Sequence, residues 1–185
     1  MSKGKIIVIS GASGVGKSTV LKQVMAARQD LVFSVSATTR QARPGEVDGV
    51  NYHFVSREKF LEMMRKGEFL ETDAHFDNLY GTLYSAVEEA RKHGNVVLDV
   101  DPNGAMNVRR ANPDALLIFV LPPSWEELEK RIRGRGDTSE EQIQERLKRA
   151  KWEIEQSPKY DYRVINDQVD ACVEEILNLI AAKAD

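Results

Sequence analysis

The 185-residue chain predicts an α/β fold, a parallel sheet with helices on both faces. Three observations carry this prediction. Short apolar runs alternate with helix-patterned stretches from end to end. The strongest runs, residues 5–10 (KIIVIS) and 115–121 (ALLIFVL), show no period-two alternation, the pattern of strands buried on both faces. Start and stop signals for helices fill the intervals between runs.

In chain order, the strand at 5–10 leads through glycines into a helix at 18–28, and 31–35 reads as a second short strand. A polar, arginine-bearing loop follows (SATTRQARPGEVDG), then a strand at 52–55. Ser56 caps a helix over 57–66 that Gly67 stops. Short strands at 69–74 and 79–83 flank a turn, and a helix over 85–93 ends at Gly94. The run at 96–100 stops at Asp101-Pro102, a pair that suits a helix start with Asp at the cap and Pro in the first turn. After the strand at 115–121, Ser124 and Glu127 have capping-box spacing for a helix to about Gly134. Ser139 and Gln142 open a long charged helix to about Gln156, and a strand at 163–165 and a helix at 169–182 complete the chain.

Lys and Arg total 26 against 29 Asp and Glu, a formal charge of -3, so a protein that coats nucleic acid is not expected. One cysteine, Cys172, forbids an internal disulfide and reads as a core residue of the last helix. No apolar run approaches the ~20 residues of a membrane span. The first residues, MSKGKIIVIS, run into glycines with no A-x-A-like site, so no signal peptide is expected. These features predict a cytoplasmic protein with neither nucleic acid nor membrane as partner. His53, His75 and His93 lack metal spacing and read as structural, and Trp125 and Trp152 as packing residues.

Gly11, Ala12, Ser13, Gly14, Val15, Gly16, Lys17 and Ser18 fit G-x-x-x-x-G-K-[ST] at every fixed position, directly after a buried strand and directly before a helix. Glycines let backbone N–H groups close on a phosphate, and the helix adds unpaired donors. Lys17 bridges the outer phosphates and the Ser18 hydroxyl holds Mg²⁺ in this reading, so a nucleoside triphosphate is the expected ligand. The motif leaves open what the phosphoryl group is used for. Arg40 and Arg43 are either solvated loop residues or a fork for a phosphate monoester. Glu71 reads as a strand-edge acid and Asp101 as a helix cap. Asp99, at the end of a hydrophobic strand, is placed either to contact Mg²⁺ or to organise its loop.

GASGVGKST, SATTRQARPGEVDGVNYHFVS, EFLE, YGT, LDVD and GRGDTSEEQIQERL occur in this order over about residues 5–167. In these segments the chain resembles the guanylate kinase family. The resemblance implies a P-loop core (1–33, 84–127 and 157–185) with a small β-rich GMP-binding insertion at 34–83 and a helical lid at 128–156, all in one domain. It implies Mg²⁺-dependent transfer of the ATP γ-phosphoryl group to GMP, and to dGMP, in purine metabolism, by a monomer or small homo-oligomer. By resemblance, Arg40, Arg43, Tyr52 and Tyr80 grip the GMP phosphate. Glu71 and Asp101, with Ser36 and Thr82, face guanine. Lys17, Arg40, Arg135 and Arg146 serve the transferring phosphates, and Thr19 and Asn166 complete the ATP site. Arg131, Arg133 and Arg149 are left as solvated helix charges. Asp77, Leu79 and Gln168 depart from the family pattern, a glycine being frequent at the first of these.

A carboxylate suits guanine because N1–H and N2–H are adjacent donors that it accepts together. Adenine presents a bare N1 acceptor there and leaves the buried acid unpaired, which costs several kcal/mol.

Overall fold

A computed structural model describes residues 3–75, 77–134 and 139–184. The elements are β1 (Ile6–Gly11), α1 (Lys17–Ala27), β2 (Leu31–Phe33), β3 (Ala37–Thr38), β4 (His53–Phe54), α2 (Arg57–Arg65), β5 (Phe69–His75), β6 (Asn78–Leu83), α3 (Tyr84–Ala90) and β7 (Asn95–Leu98). They continue with α4 (Pro102–Ala111), β8 (Leu116–Leu121), α5 (Trp125–Arg133), α6 (Glu140–Gln156), a 3-10 turn (Ser157–Lys159), β9 (Tyr162–Ile165) and α7 (Val169–Lys183). They pack as two compact units. One gathers Met1–Ile6, Asp30–Leu98 and Asn103–Ala115, the other Ile7–Gln29, Asp99–Pro102 and Leu116–Asp185. The α/β class with a parallel sheet flanked by helices is observed.

In the second unit, β8 lies between β1 and β9, parallel to both. Ile7 stands opposite Leu116 and Gly11 opposite Val120, while Ile118 faces Tyr162 and Leu121 faces Ile165. Ile7, Val8, Ile9, Leu117, Ile118, Phe119 and Val120 are fully buried. Because consecutive side chains point to opposite faces of a strand, this run of burial means that both faces are covered, as the unalternating sequence predicts. Each such side chain contributes about 1.5–3 kcal/mol of burial. Helix α1 packs on α7, and the buried side chains of the two are Val20, Leu21 and Val24 against Cys172, Val173, Ile176 and Ile180. The Phe119 ring meets Tyr160 edge-on at 5.0 Å.

In the first unit, β2 and β7 pair in parallel, and a second sheet runs β4-β3-β6-β5. Its β3–β4 pair is parallel, and its β3–β6 and β5–β6 pairs are antiparallel, with a shift of register between Phe69 and Glu71. Phe60 of α2 stacks on Phe69 with ring centroids 4.5 Å apart. A Cβ at Gly81 of β6 would stand 2.6 Å from the Phe69 ring, so the strand needs glycine there for the stack to close over it.

Three helix caps are where the sequence puts them. Ser56 Oγ accepts from Lys59 N–H and Ser124 Oγ from Glu127 N–H, and Ser139 with Gln142 forms a full capping box. Several boundaries differ. The strand expected at 31–35 stops at Phe33, and Ser34 N–H then bonds to the Val97 carbonyl. The segment read as a loop contains β3, a two-residue strand at the centre of the second sheet, held by neighbours on both sides rather than by local propensity. Helix α3 ends at Ala90 instead of 93. Trp125, expected to pack, starts α5 with 37% of its surface exposed. Asp77 adopts φ 62°, which explains why glycine suits that turn.

Candidate active site

The phosphate-binding motif lies wholly in the second unit. Gly14 and Gly16 take φ 83° and 90°, the left-handed region open to glycine. Gly16 begins α1 without a side-chain cap, and the first turn carries no acid, so Lys17, Ser18 and Thr19 open a helix end whose donors suit an anion. The loop is braced from behind. The Val15 carbonyl accepts from Asn166 Nδ2 at 2.8 Å, and a Cβ at Gly16 would stand 2.9 Å from that same Nδ2. Asn166 is 3% exposed, its own N–H bonds to the Leu121 carbonyl, and its Oδ1 has no partner among the described residues. Arg131 reaches the Val15 and Asn166 carbonyls at 3.4 and 3.2 Å. Lys17 Nζ forms an ion pair with Asp99, and both are partly exposed.

A second set of contacts in this unit starts on α6. Glu153, 7% exposed, accepts the Ser13 N–H through Oε2 at 2.8 Å and Arg149 Nε through Oε1 at 3.0 Å. Arg149 NH2 continues to Asp101 Oδ2 at 2.5 Å, and its guanidinium lies 4.7 Å from the centre of the Trp152 ring. Burial pushes the Glu153 carboxyl up from its usual range, against the lowering effect of Ser13 and Arg149. Asp101, read from sequence as a helix cap, thus holds an arginine of α6.

The residues matched to the acceptor side, Asp101 apart, lie in the first unit. Glu71 of β5 is 7% exposed and Thr82 of β6 fully buried. The two are cross-strand partners, and Thr82 Oγ1 donates to Glu71 Oε1 at 2.7 Å. Glu71 lies on the edge strand of its sheet, as the sequence reading has it, yet it is buried, next to the register shift at Phe69/Glu71. Arg40 makes two parallel 2.9 Å bonds to Glu46, with its guanidinium 5.4 Å from the Tyr52 ring centre, and the Tyr52 and Tyr80 rings are 6.0 Å apart. Glu46 raises the Arg40 pKa, and Arg40, followed by the Arg43 N–H, holds the Glu46 carboxyl down at about 2. Arg43 donates that backbone N–H to Glu46 at 2.8 Å while its side chain is exposed. Ser36 enters β3, its carbonyl accepting from His53 N–H at 2.9 Å.

The structure therefore gathers Arg40, Tyr52 and Tyr80 into one cluster and Glu71 and Thr82 into another. On the loop side it joins Lys17 to Asp99 and Asn166 to Val15. Arg146 sits half-buried on α6, and Arg135 lies outside the described residues. Three contributors are additions to the sequence reading: Arg131, Arg149 and Glu153. Only Glu153 leaves a trace in sequence, as the one acid among the apolar i, i+3, i+4 positions Ile143, Leu147 and Ala150 that α6 buries.

Comparison with known proteins places this geometry. A family model described as guanylate kinase matches residues 3–183. The chain belongs to the guanylate kinase family. It is 49% identical over 176 residues to a guanylate kinase of Trichormus variabilis, covering 95% of this chain and 88% of that one. To a guanylate kinase of Clostridioides difficile it is 45% identical over 184 residues, 99% of this chain and 90% of the relative. A crystal structure of guanylate kinase from Anaplasma phagocytophilum superposes with TM-score 0.82 at 34% identity, over 99% of this chain and 87% of the other. Membership makes the chain a nucleoside monophosphate kinase. No helix among the described residues is long and apolar enough to cross a membrane.

Proposed function

We propose that the chain carries out the family's phosphoryl transfer, from ATP to GMP and dGMP, with the residues assembled above. The ATP triphosphate lies on the N–H groups of Gly11 to Thr19 with Lys17 on its outer phosphates, and Asn166 lies beside adenine. Arg40, Arg43, Tyr52 and Tyr80 take the GMP phosphate. Glu71, Asp101, Ser36 and Thr82 take the guanine edge. An oxygen of the GMP phosphate attacks the γ-phosphorus in line, the bond from that phosphorus to the β–γ bridging oxygen breaks, and ADP leaves with its electron pair. Lys17, Arg40, Arg135 and Arg146 neutralise the charge spread over the moving group, and closure of the segment 128–156 over the core excludes the water that would hydrolyse ATP. One domain carries all of these parts.

The donor set suits Mg²⁺. Ser18 supplies a hydroxyl and Asp99 a carboxylate, hard oxygen ligands. Among the described residues no cluster of three His, Cys, Asp or Glu forms a protein cage, which fits an ion held largely by phosphates and water. When bound, Mg²⁺ supplies charge neutralisation at the ATP phosphates. We place the enzyme in the cytoplasm, in purine nucleotide metabolism, as a monomer or small homo-oligomer with neither nucleic acid nor membrane as partner.

The observation that carries the acceptor assignment is the buried Glu71–Thr82 pair. A buried carboxylate steadied by a hydroxyl suits a ligand edge with adjacent N–H donors, and guanine offers two. The decisive experiment is a panel of nucleoside monophosphates assayed with MgATP for ADP release. GMP and dGMP should turn over at least 10³-fold better, in kcat/KM, than AMP or CMP. Comparable AMP turnover would remove the acids from the base site.

A further inference from the structure

We propose that Arg149 is a positioning residue for Asp101 and that Glu153 holds it there, so that Ser13, Glu153, Arg149 and Asp101 form one relay from the phosphate loop to the base-reading acid. This rests on the reading of Asp101 as a guanine contact. The relay is continuous. Ser13 N–H bonds to Glu153 at 2.8 Å, Arg149 to Glu153 at 3.0 Å, and Arg149 to Asp101 at 2.5 Å. Every link is charge-assisted, the stronger kind of hydrogen bond.

The two ends of the Arg149 fork are used differently. Nε faces Glu153, four residues on along α6, while NH2 faces an acid 48 residues away in sequence. A helix-surface arginine engaged only by an i, i+4 acid is worth little. The Arg149 side chain is instead 22% exposed, between acid side chains that are 18% and 9% exposed, and the Trp152 ring limits its sideways motion. Lysine offers a point charge and cannot span two acids with fixed geometry. With Oδ2 of Asp101 occupied by Arg149, the carboxylate is fixed in rotation, and a base edge meets an acid already oriented. An acid free to rotate must be ordered on binding, which weakens affinity for that substrate alone.

Glu153 connects this to the donor side. Its Oε2 takes an N–H of the phosphate loop, so a shift of the loop when a triphosphate binds is felt at Arg149 and then at Asp101. The relay thus predicts that donor and acceptor nucleotides bind with positive coupling, and that coupling is reciprocal.

The test uses the full-length protein and the variants Arg149→Met, Arg149→Lys, Glu153→Gln, their Met/Gln double and Asp101→Asn. Initial rates give KM for GMP and ATP separately, and calorimetry gives the GMP dissociation constant with and without a non-hydrolysable ATP analogue. Glu153→Gln retains an acceptor for Ser13 but turns an amide donor toward Arg149. Arg149→Met should raise KM for GMP about tenfold while KM for ATP stays within twofold, with Arg149→Lys intermediate. The double variant should be no worse than Arg149→Met alone, because one relay is cut at two points. The analogue should tighten GMP binding in the parent and not in Glu153→Gln. An unchanged KM for GMP in Arg149→Met, or equal rises for both substrates, overturns the relay. Additive effects in the double variant do so too. If Arg149→Met lowers thermal stability so far that rates cannot be measured, the Lys variant, which keeps a cation between the two acids, carries the comparison. Asp101→Asn separates the two levels. A raised KM for GMP there with none in Arg149→Met leaves the base contact standing and removes the relay, whereas no effect of Asp101→Asn removes the base contact itself.

Discussion

Replacing Glu71 by Gln is the sharpest perturbation of the acceptor site, because it alters charge and donor pattern with almost no change in volume. In the parent, Thr82 donates to one carboxylate oxygen across the β5–β6 ladder, and in the proposed complex the acid also accepts from guanine. The amide has one oxygen. If that oxygen stays with Thr82, the NH2 group points at two guanine donors, and if it turns to guanine, the NH2 group must face the Thr82 hydroxyl. Either way one charge-assisted hydrogen bond, worth about 1.5–3 kcal/mol, is lost, and the surviving one falls to a neutral bond of about 0.5–1.5 kcal/mol. The net loss is about 2–4 kcal/mol, or roughly 10²-fold in KM for GMP. In the proposed reading Glu71 serves the acceptor alone, so KM for ATP should stay within twofold. A pyruvate kinase–lactate dehydrogenase coupled assay, run with each substrate varied in turn, reads both constants, and calorimetry with GMP alone checks that KM tracks binding. Equal rises in the two Michaelis constants, or none, would refute the argument.

Three further substitutions probe other parts of the chain. Lys17→Ala should reduce kcat by about 10³-fold, by analogy with other cations that neutralise a transferring phosphoryl group, while circular dichroism and melting temperature stay near the parent's, because the Lys17–Asp99 pair is partly exposed; near-parental kcat would contradict the role. Glu46 carries the pH prediction. Its carboxyl is held at about 2 against an ordinary 4.5, so its contribution to stability is complete above about pH 4.5 and is lost as pH falls from there toward 2. Acid unfolding of Glu46→Gln followed by circular dichroism should therefore slope less steeply in that window than the parent, and an identical slope would deny the Arg40–Glu46 pair any part in it. Asp77→Gly relieves a left-handed residue at φ 62° and should raise stability by roughly 0.5–1 kcal/mol, a shift of about 1–4 °C in a thermal melt; a lower melting temperature would mean that the Asp77 side chain contributes more than its backbone costs.

What the sequence discloses about this fold is whatever is encoded locally. The phosphate loop is legible because its work is done by backbone over eight consecutive residues, and the double-sided burial of β1 and β8 is legible because each strand's own residues must satisfy both faces. Caps at Ser56, Ser124 and Ser139 are legible for the same reason, since the cap and the N–H it takes lie three residues apart. What stays hidden is set by distant partners. Ala37 and Thr38 form a strand only because β4 and β6 flank them. Glu71 is buried through a register shift and a hydroxyl on the next strand. Arg149 looks like one more cation on a charged helix until its pairing with Asp101 is seen.

That last case bears on how an acidic chain handles two anions. The formal charge is -3, yet three cations of the site each face a carboxylate. Lys17 faces Asp99, Arg40 faces Glu46, and Arg149 faces Asp101 and Glu153. These carboxylates hold and neutralise the cations within the fold. If the GMP phosphate takes Arg40 as proposed, it exchanges one anion for another, and the affinity is then a difference between two charge-assisted contacts. In that reading the local carboxylates set substrate affinity as directly as the arginines do. Removing Glu46 should tighten the grip on the GMP phosphate and, at the same time, leave Arg40 free to sample geometries unsuited to in-line transfer. A fall in KM for GMP accompanied by a fall in kcat in Glu46→Gln would carry that signature, because ground-state binding strengthened without orientation does nothing for the transition state.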